Sequence, residues 1–103
     1  MLNARSVAGA LIRLPAEQWA HIIHSHPEMR GQKQPVIDTL AAPQLIQRGD
    51  QGELLAARFY QRTPLTSKFL VVVYRETSPH DGFVITAYFT RRPSARRETL
   101  WQQ

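Results

Sequence analysis

Along the chain, apolar positions first recur at helical spacing and then switch to strand alternation. Trp19, Ile22, Ile23 and His26 fall on one helical stripe. The helix they predict begins just after Pro15, where a proline in the first turn and Glu17 near the positive end both suit a start. Pro27 disfavours helical geometry at the residue before it, so this helix ends near Ser25 and leaves His26 in a turn. A second helix is predicted over Lys33 to Ala41, with Val36, Ile37 and Leu40 as its apolar face and Pro43 as its stop. Four strands follow: Gln44 to Arg48, Leu54 to Arg62, Lys68 to Glu76 and Phe83 to Arg91. Gly49-Asp50-Gln51-Gly52, the Thr63–Ser67 loop and Asp81-Gly82 separate them. The nearly continuous apolar character of Lys68 to Glu76 predicts a central strand covered on both faces. The expected architecture is a single α+β domain, two N-terminal helices packed on a four-stranded antiparallel β-meander. Its core spans about residues 14–92. In the arginine-rich tail, 93–103, Ala95 to Trp101 suits either a helical turn or a segment lying along the sheet.

Composition narrows the classes of function. The chain has no cysteine, which excludes disulfides, thiolate metal sites and cysteine nucleophiles and suits the cytoplasm. Its longest apolar run, around Phe69 to Val73, is far too short for a bilayer, so no membrane partner is expected. The stretch from Met1 to Ile12 is faintly signal-like. It lacks a clear cleavage site and runs into Arg13 and Pro15, so it reads as part of the domain. The formal net charge is +5, and Gly82 to Arg97 holds four arginines and no acid. That balance favours a polyanion such as RNA as partner.

Three of the four histidines, His21, His24 and His26, lie within one short segment. Histidine changes charge near neutral pH and serves as a proton carrier or a metal ligand. His21 and His24 are three apart on a helix face, but no HExxH pattern, ligand-spaced acid pair or cysteine accompanies them, so no metal or other cofactor is expected. In the second strand Leu55, Ala57 and Phe59 share one face and Arg58, Tyr60 and Arg62 the other. In the last strand Phe83, Ile85, Ala87 and Phe89 alternate with Thr86, Tyr88 and Thr90. If the helices cover the apolar faces, the open face carries arginine, tyrosine and threonine. Metal-free RNA cleavage needs such a set: a base for the 2′-hydroxyl, an acid for the leaving oxygen, and donors on the phosphorane. Aromatic rings add stacking on a splayed base. Each residue also has a plain structural reading. His21 suits an exposed helix position, His26 a cation at a helix C-terminus, and Arg91 and Arg92 a solvated strand end. His24 and His80 read as surface, and Arg96 and Arg97 are the least specific of the arginines.

Several pieces together resemble the small phage- and mobile-element-associated nuclease domains of the barnase–EndoU–colicin–RelE group. They are Trp19-Ala-His21-Ile-Ile-His-Ser-His26-Pro27-Glu28-Met29, Val36-Ile-Asp-Thr-Leu40-Ala-Ala-Pro43, Arg58-Phe-Tyr60, Leu70-Val-Val-Val73 and Val84-Ile-Thr86-Ala-Tyr88. The resemblance implies a toxin-type endoribonuclease that cleaves RNA without a metal to a 2′,3′-cyclic phosphate, with a cognate antitoxin or immunity protein. It points to His21, His26, Arg58, Thr86 and Tyr88 as the catalytic set, with Tyr60, Arg62, Arg91 and Arg92 toward RNA. The competing expectations are a non-catalytic RNA- or protein-binding module of the same fold and a metal-dependent enzyme.

Overall fold

The computed structural model describes residues 2–103 and contains two helices on a seven-stranded mixed sheet. The elements run β1 (Leu2–Arg5), β2 (Leu11–Leu14), α1 (Ala16–Ser25), a 3₁₀ turn (Pro27–Met29), α2 (Lys33–Ala41), β3 (Leu45–Arg48), β4 (Leu54–Phe59), β5 (Phe69–Ser78), β6 (Asp81–Thr90) and β7 (Thr99–Gln102). Their order across the sheet is β1-β2-β6-β5-β4-β3-β7. The predicted four-stranded antiparallel meander with two leading helices is therefore wrong. β3 to β6 do form an antiparallel meander, but two strands precede the helices and a seventh closes the far edge. One joint, β2 to β6, is parallel.

The N-terminal segment forms a hairpin. Ser6 and Ala10 close its turn with a backbone bond of 2.8 Å, and Gly9 adopts φ +93, a conformation that favours glycine. β2 buries Ile12 and Leu14 on alternate positions and then pairs with the start of β6, where Arg13 bridges to Asp81 at 3.1 Å. A parallel pair needs a long crossover, and here both helices and three strands lie between the partners.

One face of the sheet packs against the helices. Trp19 and Ile22 of α1, Met29, and Val36 and Leu40 of α2 meet Ala56, Leu70, Val72, Tyr74, Val84 and Ala87. The other face carries a second cluster, Leu55, Ala57, Val71 and Val73, all buried. The 91–98 connection crosses it on the way from β6 to the opposite edge, and Gln47 donates to the Ser94 carbonyl at 2.7 Å beneath it. The central strand β5 is thus covered on both faces, as its apolar run predicts.

Two corrections follow for the sheet faces. Leu55 and Ala57 lie under the 91–98 connection, and the helices cover the face of Ala56 and Tyr60. In β6 the pairing with β5 shifts register between Val73 and Tyr74. This bulge puts Ile85 with the Leu55 cluster rather than with Ala87 and Phe89. Gly82, read as a turn residue, is inside β6 between Ile12 and Glu76.

Tyr74 is 2% exposed, and burial, with Glu76 nearby, pushes its phenol well above the ordinary value of 10.0. Burial raises Tyr60 and Tyr88 in the same direction. A raised folded-state pKa contributes stability that is complete below the unfolded value and is lost as pH rises above it. The thermal midpoint should therefore hold steady up to about pH 10 and fall beyond it. Tyr74→Phe should lessen the loss above about pH 10 in thermal scans. An alkaline loss unchanged from the parent would assign the effect elsewhere.

Candidate functional site

β2 pairs with β6 only as far as Phe83, and α1 docks on β6 beyond that point, with the Gln18 carboxamide donating to the Ile85 carbonyl. The helix stops where Pro27 requires. The backbone of His26 is held on both sides: its N–H donates to Ile22 O at 2.7 Å and its carbonyl accepts from Met29 N–H at 2.9 Å. Met29, fully buried, anchors the 3₁₀ turn. The imidazole thereby leaves the helical stripe and meets Tyr88 of β6, ring centroids 5.9 Å apart at 34°. His26 Nδ1 lies 3.7 Å from Glu28 Oε2, which places a carboxylate beside the ring. His26 is about one-third exposed, so solvent and a ligand both reach it.

Tyr88 stands at the boundary between His26 and a cavity of about 180 Å³ under the 91–98 connection. Leu55 and Val71 line its apolar side; Gln47, Thr90, Arg92 and Arg97 line the polar side. Burial raises the Tyr88 phenol, and the Arg97 charge acts in the opposite direction. The net rise keeps the phenol a hydrogen-bond donor at neutral pH. Thr86, paired opposite Val73, shares the Tyr88 face two residues away. Arg97 is held by the Asp50 carboxylate at 3.0 Å and the Arg48 carbonyl at 3.4 Å.

The structure brings together part of the predicted set. Tyr88 and Arg92 line this cavity, His26 packs against Tyr88, and Thr86 shares the Tyr88 face of β6. His21 does not join them: it is exposed on α1, flanking a shallow depression with Glu17, while Trp19 and Ile22 face the protein. Arg58 and Tyr60 are on the opposite face of the sheet. Arg58 donates to Asp38 O at 3.3 Å and lies 5.3 Å over the Tyr60 ring. The Tyr60 hydroxyl donates to Pro35 O at 3.0 Å and is 2.9 Å from Thr39 Oγ1. Both residues join β4 to α2, because alternation sends Ala56 and Arg58 toward the helices. Arg62 is exposed in the loop after β4, and Arg91 is exposed beside Arg92. Among the described residues, no group of three His, Asp or Glu side chains is arranged to hold a metal ion.

Comparison with protein-family models, curated proteins and solved structures finds no match to this chain.

Sequence reasoning missed Gln47 and Arg97. Gln47 sits at 5% exposure inside a strand, a costly position for a carboxamide, and an isolated glutamine in a polar-looking segment carries no sign of that. Arg97 has the same composition around it as Arg96. Only the path of the 91–98 connection turns one toward the cavity and leaves the other exposed. Among the described residues, no helix is long and apolar enough to cross a membrane.

Proposed function

We propose that this chain is a metal-independent endoribonuclease of toxin type, related to the barnase–EndoU–colicin–RelE group, acting in the cytoplasm and kept in check by a cognate antitoxin or immunity protein. The observation that carries this reading is the contact of His26 with Tyr88 at the edge of an arginine-lined cavity. His26 takes the proton of an RNA 2′-hydroxyl as that oxygen attacks the adjacent phosphorus. The Tyr88 phenol, still protonated at neutral pH, gives a proton to the leaving 5′-oxygen. The products are a 2′,3′-cyclic phosphate and a free 5′-hydroxyl. Glu28 steadies the imidazolium that forms. Thr86 donates to the phosphorane, and Arg92 and Arg97 hold the backbone charge. Within the predicted histidine pair the role narrows to His26, since His21 lines a separate depression on α1.

Purified protein incubated with total RNA and a chelator should release fragments ending in 2′,3′-cyclic phosphate. Intact RNA under all buffer conditions, or cleavage that the chelator stops, sinks the proposal. Binding gives a second reading of the same surface. Arg92→Ala and Arg97→Gln should each weaken single-stranded RNA binding and reduce the slope of log affinity against log salt by about 0.7. A slope unchanged in both variants would remove these arginines from the interface. If binding depends on the arginines while His26→Ala changes nothing, the chain is a non-catalytic RNA-binding module.

A further inference from the structure

We infer that the cavity between β3 and the 91–98 connection is a nucleobase pocket whose specificity is set by Gln47. This rests on the RNA reading above and deepens it by naming what the pocket reads. The cavity, about 180 Å³, is amphipathic in a particular way. Leu55 and Val71 offer an apolar floor, Tyr88 a ring at one side, and Arg92 and Arg97 a cationic rim. A phosphate or a sugar gains nothing from the floor, because burying their polar groups against it leaves hydrogen bonds unmade. A base has two apolar faces and a polar edge, and it suits both walls at once.

Gln47 supplies the edge contact. Its Nε2 donates to Ser94 O at 2.7 Å, which fixes the carboxamide and leaves Oε1 as the acceptor. Among the described residues Oε1 has no side-chain hydrogen-bond partner, so it is available to an N–H on a base. A ligand N–H that reaches Oε1 from the cavity gives the carboxamide a partner at each end. The backbone around it is specialised as well. The β3–β7 pairing shifts register between Ile46 and Gln47, with Leu100 as the extra residue on β7. Such a bulge bends β7, the strand that carries the extra residue, where it passes Gln47. Gln47 thus faces the cavity that Tyr88 also lines and acts on the base edge, not on the transferred protons.

The test uses the full chain and small probes: the four nucleoside 3′-monophosphates, ribose 5-phosphate and inorganic phosphate, each titrated and followed by backbone amide shifts. At least one nucleotide should bind about tenfold more tightly than ribose 5-phosphate, the margin one buried hydrogen bond supports. Gln47→Met, close in shape but without the acceptor, should remove that margin and leave ribose phosphate and phosphate affinities within twofold. Leu55→Phe, which fills the floor and leaves Gln47 and the arginines intact, should remove it as well. Thermal scans of both variants check that they fold. Ribose phosphate binding as tightly as every nucleotide overturns the pocket, with or without the variants. So does a margin that survives in a folded Gln47→Met. RNA cleavage without a base margin sinks the pocket alone, and a base margin without cleavage sinks the nuclease alone.

Discussion

His26→Ala should slow cleavage of a short RNA substrate by roughly 10²- to 10⁴-fold, and Tyr88→Phe by a comparable factor, with His21→Ala and His24→Ala within twofold of the parent. The asymmetry comes from position. The three histidines are close in sequence, but only His26 is turned out of the helix onto β6. Both deleterious changes spare the fold. His26 is held through its backbone, so removing the imidazole leaves those bonds in place. Tyr88→Phe keeps the ring that packs with the Leu55 cluster. The rate loss should therefore appear without a matching loss in thermal midpoint, and in the catalytic step rather than in RNA affinity. Combining His26→Ala with Tyr88→Phe should cost much less than the product of the two, because residues acting as one unit are not additive. Equal loss in His21→Ala and His26→Ala would break the assignment and point to a site on the exposed face of α1. Growth arrest on expression, relieved by His26→Ala and retained by His21→Ala, would carry the same distinction into cells.

The parts of this site that the sequence announces are those fixed by local rules. Pro15, Pro27 and Pro43 punctuate the two helices, so α1 ends at Ser25 and α2 covers Lys33–Ala41 as their spacing predicts. The same proline rule takes His26 out of the helix. Alternation pairs Thr86 with Tyr88 correctly, because it acts within one uninterrupted stretch of β6. What alternation lacks is a label for the two faces. β4 and β5 are buried on both sides, so Leu55 and Ala56 look alike in sequence, and Arg58 faces α2 rather than the open side that alternation suggests. The remaining misses are non-local. β1, β2 and β7 are four-residue strands with little periodicity of their own, like β3, which the adjoining Gly49–Gly52 turn marks in the sequence. Their partners lie far along the chain: β2 joins β6, and β7 joins β3. Without β7 there is no crossing connection, and without that connection Gln47 is an ordinary strand residue and Arg97 an ordinary tail arginine.

That dependence of the site on distant strand pairing makes Gly82 a sensitive backbone position. A Cβ added there would lie 2.3 Å from the Arg75 carbonyl oxygen, 2.9 Å from Ile12 Cδ1 and 3.1 Å from Glu76 Cα. Two of those neighbours are backbone of β5, and the third is a side chain with no exposed surface, so none moves aside cheaply. Gly82→Ala should destabilise the domain by about 3 kcal/mol. For a chain of this length that corresponds to a fall in thermal midpoint of roughly 15 °C. Phe83→Ala next to it, at a side chain 41% exposed, should cost much less. The position is where the parallel β2 and the antiparallel β5 both grip β6, and β6 carries Tyr88 and Thr90 to the cavity. A shift of β6 at Gly82 is therefore expected to separate Tyr88 from His26, so Gly82→Ala should lower cleavage even at temperatures where it remains folded. Chemical denaturation and a rate measurement well below the midpoint read the two effects separately. A loss under about 1 kcal/mol would mean that the β2–β6 joint is looser than its contacts indicate.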